Sequence, residues 1–290
     1  MMGVLGIDLG GTNIRVGLAE KNKLTKVESC EVPKSSSQGE VVDSLISLIE
    51  RFDTKKIEGI GVGVPSVVDV EKGIVYEVQN IPSWKEVHIK KILEKKFKIP
   101  VSVNNDANCF AVGEKYFGKV KKYKNIIGLI TGTGLGAGVI INNQLYSGNN
   151  CGAGEFGMIP FKDNIFEYYC SGQFFQNEFG KSGEELSIKA KNGNRAALKA
   201  FSQYGANLGE AIKMIMFAVD PEVIVLGGSV SKSFKLYENA MWKSIKSFAY
   251  TKSVSRIKIE VSKIKHIAIL GAAALYLDAK ENNLLKKPKS

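Results

Sequence analysis

The chain has 290 residues, 44% hydrophobic and 24% charged, an ordinary globular composition that allows one large or two medium domains, each with its own core. Its formal net charge is +11, but the lysines are scattered, with short runs such as 119–124 (KVKKYK) and no aromatic-interleaved basic stripe, which speaks against a nucleic-acid partner. Cys30, Cys109, Cys151 and Cys170 form no CxxC pair and stand apart from His88 and His266, so neither a zinc cluster nor a disulfide framework is indicated, and reduced thiols in a cytoplasmic protein are expected.

The N-terminus has no basic region of the kind that opens a signal peptide. Residues 4–9 (VLGIDL) and 14–19 (IRVGLA) are two β-type runs joined by GGTN, which predicts a strand–turn–strand unit, whereas a Walker loop or dinucleotide fingerprint needs a helix to follow. Helical periodicity at 38–52 is followed by a buried-strand run at 57–69, the segment VQNIPSW at 78–84, and an amphipathic segment at 86–97. Strands alternating with helices indicate α/β architecture. The run IPVSV at 99–103 predicts a further strand, with a helix starting just after it, capped by Asn105 or Asp106.

Residues 126–141 (IIGLITGTGLGAGVII) repeat the opening design, with Gly128 in the place of Gly6 and Gly132 in the place of Gly10; the stretch is too short and too glycine-broken for a membrane span. An internal duplication into two similar domains is the simplest explanation. A third glycine signal is the strand ending in Gly227 and Gly228, after a helix-like stretch at 205–219. Residues 266–282 then read as a small-residue helix packed closely on something. The domain boundary is expected near 110: a small α/β domain, 1–110 plus the final helix from about 272 to 290, and a large α/β domain, 111–271.

Glycine-rich turns present bare backbone N–H groups that suit phosphate oxygens, and two duplicated turns plus a third point to a triphosphate gripped from two domains. The turn residues are Gly10, Gly11, Thr12 and Asn13, then Thr131, Gly132, Thr133 and Gly134, then Gly227 and Gly228. Asp8, at the end of an otherwise apolar strand, suits a magnesium ion held through water, or hydrogen bonds from its own turn. Asn105 and Asp106 follow a strand end, where ligand sites of α/β proteins lie. Glu155, among small residues, and Glu167, among aromatics, are chemistry for holding a polyol.

These residues resemble the ROK group of sugar kinases and related repressors. The resemblance runs through DLGGT (8–12), GVPSVVD (63–69), QNIPSW (79–84), NNDAN (104–108), GTGLGAG (132–138), GAGEFG (152–157) and DPEVIVLGGSVS (220–231). It implies a duplicated, actin-like and hexokinase-like (ribonuclease H-like) two-domain fold with an interdomain cleft. It also implies an ATP- and Mg2+-dependent hexokinase of the glucokinase type, phosphorylating a primary hydroxyl, with glucose first and N-acetylmannosamine, N-acetylglucosamine, fructose or mannose as alternatives. Asp106 is then the general base, with Ser66, Asn80, Asn105, Glu155, Met158 and Glu167 on the sugar side.

Two departures stand out. Met158 occupies the position of the family's usual zinc-binding histidine, and only IPFKDNIF separates it from Glu167, where the family usually inserts a cysteine loop, so zinc is not expected. A sugar-sensing repressor is the competing reading; Asp8 leaves no room before the first turn for a helix-turn-helix. The resemblance further implies a homodimer or homotetramer.

Overall fold

The structure, a computed structural model, describes residues 2–21, 23–33, 37–78 and 81–285, and every statement below concerns those residues. In chain order the elements are β1 (Gly3–Leu9), β2 (Asn13–Glu20), β3 (Lys23–Glu31), α1 (Gln38–Ile49), β4 (Ile57–Val64), β5 (Val67–Asp69), β6 (Ile74–Tyr76), β7 (Glu86–Val87), α2 (Ile89–Phe97), β8 (Val101–Asn105) and α3 (Asp106–Phe117). They continue with β9 (Ile126–Thr131), β10 (Leu135–Ile141), β11 (Gln144–Leu145), β12 (Pro160–Phe161), β13 (Asn164–Ile165), α4 (Phe166–Cys170), α5 (Gln173–Phe179), α6 (Gly183–Lys191), α7 (Arg195–Val219), β14 (Val223–Gly227), α8 (Phe234–Ile245), α9 (Thr251–Arg256), β15 (Lys258–Val261) and α10 (Ile267–Glu281).

Two compact units emerge, one of residues 1–122, 138–153 and 264–290, the other of 123–137 and 154–263. The first unit runs past the expected boundary at 110 because α3 packs along α10, and a boundary there would cut α3 in two. The helix expected at 205–219 begins ten residues earlier, at Arg195, where Asn194 caps it by accepting from the Ala197 N–H at 3.0 Å.

The first unit is built on a sheet of order β3-β2-β1-β4-β8. β1 and β2 form the expected hairpin, Asp8 opposite Arg15, while β1, β4 and β8 run parallel. One face packs Leu5, Ile7, Val62 and Val103 against Val41, Leu45 and Leu48 of α1. Ser37 and Glu40 close the start of α1 with a capping box, an arrangement worth about 1 kcal/mol. Against the other face lies α10, apolar nearly all round and therefore buried. Gly61 lies directly beneath the Ala272 carbonyl, so that any side chain there would collide with the helix backbone.

The second sheet has the order β11-β10-β9-β14-β15, the same sequence of positions as β3-β2-β1-β4-β8. An antiparallel hairpin is again followed by parallel strands, here β9, β14 and β15. The internal repeat in the sequence is thus matched by a repeat in topology. In the second unit the long helix α7 packs on α8, and Phe174, Phe175, Phe201, Tyr204 and Tyr237 form an aromatic core, with Phe175 and Tyr204 stacked at 5.1 Å. Among the described residues no helix is long and apolar enough to cross a membrane.

Candidate functional site

Parallel pairing in the first unit aligns the strand ends. Asp8 of β1 is in register with Gly63 of β4, and Gly63 with Asn104 of β8, so Asp8, the segment leading to Ser66, and Asn104 to Asp106 share one end of the sheet. That end is the carboxyl end, where helix N-termini and bare strand-end amides meet ligands. Both Asp8 and Asp106 add to the burial that raises the Cys109 thiol, placing the two acids around one sulfur.

The first glycine turn is a tight hairpin in which the Gly10 N–H donates to the Asn13 carbonyl at 3.0 Å, and the Val32 N–H reaches the Thr12 carbonyl at 2.8 Å. Asp8 is 9% exposed; burial raises its carboxyl, and the guanidinium of Arg15, which donates to Oδ2, opposes that rise. Arg15 was not anticipated, although its place two residues past the turn on the antiparallel partner puts it opposite Asp8. A magnesium ion that keeps most of its waters and takes one protein carboxylate fits Asp8, with Arg15 a competing partner.

Asn105 is the N-cap of α3: its Oδ1 accepts from the Asn108 N–H at 2.8 Å. Asp106 opens the helix with its side chain exposed, Oδ1 accepting from the Ala107 N–H at 2.9 Å. Beneath them, Asn104 is buried and holds the floor. Its Oδ1 accepts from the Asn105 N–H, from Asn108 Nδ2 and from the Cys151 thiol, while its Nδ2 donates to Ser147 at 3.0 Å. Ser66 donates its hydroxyl to the Tyr76 carbonyl and lines a cavity of about 600 Å3 with Pro65, Tyr76 and Trp84. Asn80 lies outside the described residues.

In the second unit β9 and β14 end side by side at the other two glycine turns. Thr131 donates its hydroxyl to the Gly227 carbonyl at 3.1 Å. Gly228 has φ +85° and lies against the Thr131 backbone, where a Cβ would clash. The turn of Gly132 to Gly134 is closed by the Gly132 N–H to the Gly134 carbonyl at 3.0 Å, and the Gly132 carbonyl accepts from the Gly172 N–H at 2.7 Å. Gly132 and Thr133 open onto a cavity of about 580 Å3 that runs along α5 and α6 past Gln176, Ser187 and Lys191 to Lys232. Those lining residues were missed because α5 and α6 carry no motif; only their nearness to the third glycine signal brings them to the cavity.

Glu167, at the start of α4, is engaged with this turn: Oε2 accepts from the Leu135 N–H at 3.0 Å and Oε1 from Gln173 Nε2 at 3.4 Å. Glu155 faces it electrostatically, its carboxyl raised by burial first and by the charge of Glu167 second. Met158 follows Glu155 on a short 3-10 turn and is 59% exposed. Between Met158 and Glu167 the chain forms the β12–β13 hairpin, held by stacking of Phe161 on Phe166 at 4.4 Å, a hydrogen bond from Tyr169 to Asp163, and Lys162, which sits over the Tyr169 ring and donates to Asn207 at 2.8 Å. Among the described residues no three His, Cys, Asp or Glu side chains gather as a metal ion requires, and the four cysteines form no disulfide with one another.

Comparison with known proteins agrees in kind. The family model described as ROK family matches residues 4–279. An N-acetyl-D-glucosamine kinase of Vibrio parahaemolyticus is 32% identical over 94% of this chain and 99% of its own. A xylose repressor of Caldicellulosiruptor bescii is 28% identical over 94% of this chain and 78% of its own. The ROK family glucokinase of Streptomyces griseus, solved with glucose and AMPPNP, is 25% identical and superposes with a TM-score of 0.76 over 94% of this chain and 98% of its own. The fold is therefore the mixed α/β, actin-like and hexokinase-like fold of the ROK sugar kinases.

Proposed function

Because the chain belongs to the ROK family, we propose that it is an ATP-dependent sugar kinase that transfers the γ-phosphoryl group to the primary hydroxyl of a hexose. The observation that carries this reading is the alignment of β1, β4 and β8, which puts Asp8 and the exposed Asp106 at one carboxyl end of a sheet. The glycine turn at Gly132 to Gly134, opening onto a cavity large enough for a nucleoside, supports it from the second unit.

Asp106 accepts the proton of the attacking hydroxyl. The sugar oxygen bonds to the γ-phosphorus as the bond from that phosphorus to the β–γ bridging oxygen breaks, and ADP departs. The amides of Gly10 to Asn13, Thr131 to Gly134 and Gly227 to Gly228 hold the phosphates, so positioning and charge stabilisation carry most of the acceleration. Asp8 would hold a magnesium ion, which would neutralise phosphate charge when bound. Asn105, Glu155 and Glu167 are assigned to the other hydroxyls, and Ser66 and Asn80 are assigned to the sugar on the sequence resemblance alone. The working form is a cytoplasmic homodimer or homotetramer.

Glucose is the first substrate assigned. An N-acetylated hexosamine is the second reading, favoured by the exposed thioether of Met158, which offers an acetyl methyl an apolar contact, and by the kinship to an N-acetyl-D-glucosamine kinase. Coupled ADP release with glucose, N-acetylglucosamine, N-acetylmannosamine, fructose and mannose ranks them. Absence of turnover with every one removes the kinase reading and leaves a sugar sensor.

A further inference from the structure

The first unit contains a second cavity, of about 780 Å3, that the proposed chemistry does not use. It lies along β8, the edge strand of its sheet, and is closed by α10, α2 and the β5–β6 hairpin. Its charge is unlike that of the rest of the molecule. Asp69, Glu71, Glu94 and Asp278 line it against Lys90, in a chain of net charge +11; Lys72 pairs with Asp69 at 3.2 Å, and one oxygen of Glu94 accepts from the Val101 N–H at 3.1 Å.

Asp278 is the decisive residue. It is 4% exposed on α10; it accepts a hydrogen bond from the backbone N–H of Leu145, but its Oδ1 is buried with no hydrogen-bond partner. The nearby cation, Lys115, spends its ammonium on the Lys121 carbonyl at 2.9 Å and on Asn143 Oδ1 at 2.7 Å, and Glu281 adds a like charge. A buried carboxylate oxygen without a donor has lost its water and gained nothing in return, a cost that a ligand donor would relieve. Burial accordingly pushes the Asp278 carboxyl up to about 6. Apolar side chains of β8 and α10, Val101 and Leu275 among them, supply methylene-binding wall between the acids.

We propose that this cavity is a binding site for an aliphatic diamine or polyamine, with one ammonium on Asp278, the methylene chain on the apolar wall and a second ammonium at the Asp69–Glu71–Glu94 rim. Carboxylates provide the charge-assisted acceptors, and the basic exterior disfavours adventitious polycation binding elsewhere. None of the residues assigned to sugar and ATP lines it, although Asn104, which lies beneath Asn105 and Asp106, does.

Isothermal titration of the full chain with putrescine and spermidine, at about 0.15 M salt, tests it, with 1,4-butanediol as the uncharged counterpart of putrescine. Saturable one-to-one binding of the amines and none of the diol is expected. Asp278→Asn should weaken spermidine binding by about tenfold or more, and Lys90→Gln, which removes the opposing charge, should strengthen it by about threefold. Absence of saturable heat, equal binding of the diol, or unchanged affinity in Asp278→Asn overturns the proposal. If Asp278→Asn does not fold, the diol comparison and Lys90→Gln decide it: unchanged or weaker binding by Lys90→Gln counts against the site. Sugar phosphorylation is measured separately and is not predicted to change with the outcome.

Discussion

Asp8 and Arg15 face each other across the first hairpin as an ion pair, the carboxylate almost fully buried and the guanidinium about half exposed. Arg15 is what keeps a buried carboxylate tolerable beside a turn of bare amides, because desolvation raises Asp8 and the guanidinium opposes that rise. Replacing Arg15 with Met leaves the charge uncompensated. The partner's exposure limits the loss to about 1–2 kcal/mol at neutral pH. With its folded-state pKa raised further, Asp8 disfavours folding only when ionised, so the deficit of Arg15→Met should shrink as pH falls through the raised folded-state values and be gone once pH is below the ordinary carboxylate value of 3.8. Urea titrations of both proteins at neutral and acid pH check this; an equal deficit at both would place the role of Arg15 elsewhere.

Asp106 carries the proposed chemistry. Asp106→Asn preserves shape and the cap provided by Asn105, so sugar binding should remain nearly unchanged while turnover falls by about 10²–10⁴-fold. Equilibrium sugar binding alongside coupled ADP release separates the two. Full turnover in this variant contradicts the assigned role.

Gly228 lies at φ +85° against the Thr131 backbone. Gly228→Ala forces both a strained conformation and a shift of the neighbouring turn, an expected cost of about 1–3 kcal/mol. Because that turn borders the cavity proposed for the nucleotide, affinity for a non-hydrolysable ATP analogue should fall together with the melting temperature. Loss of stability with undiminished nucleotide affinity separates this turn from the phosphate site.

Asp278 has an ordinary carboxyl value of 3.8 and a folded value of about 6, so it stabilises the fold fully below the lower value and ceases to do so as pH rises through the higher. Roughly two units correspond to about 3 kcal/mol. In Asp278→Asn this decline between about pH 4 and 6.5 should be absent. Chemical denaturation across that range, wild type against variant, measures it; parallel curves would mean that Asp278 has an ordinary pKa in the folded protein.

Much of the scaffold was legible because it rests on local rules. The hairpin at GGTN, its copy at 126–141 and the cap at Asn105 follow from turn chemistry and strand periodicity, signals carried by a few adjacent residues. β3 was missed: it pairs with β2 but alternates exposed and half-buried residues, with no apolar face to announce it. The helices α4 to α6 were missed for a related reason, since each is short, and α5 is buried through Phe174 and Phe175 against Phe201 and Tyr204 of α7 rather than through its own periodicity.

The sequence alone determined where glycine amides and strand-end acids occur, because φ freedom and alternation are properties of the nearest residues. Only the tertiary structure decided their company: that Arg15 neutralises Asp8, that Glu167 is anchored by the Leu135 amide and Gln173, and that Asp278, which in the sequence is one more acid near a basic tail, lies buried beside an acidic cavity. Desolvation and pairing depend on which distant segments pack together, and no spacing along a chain encodes that directly.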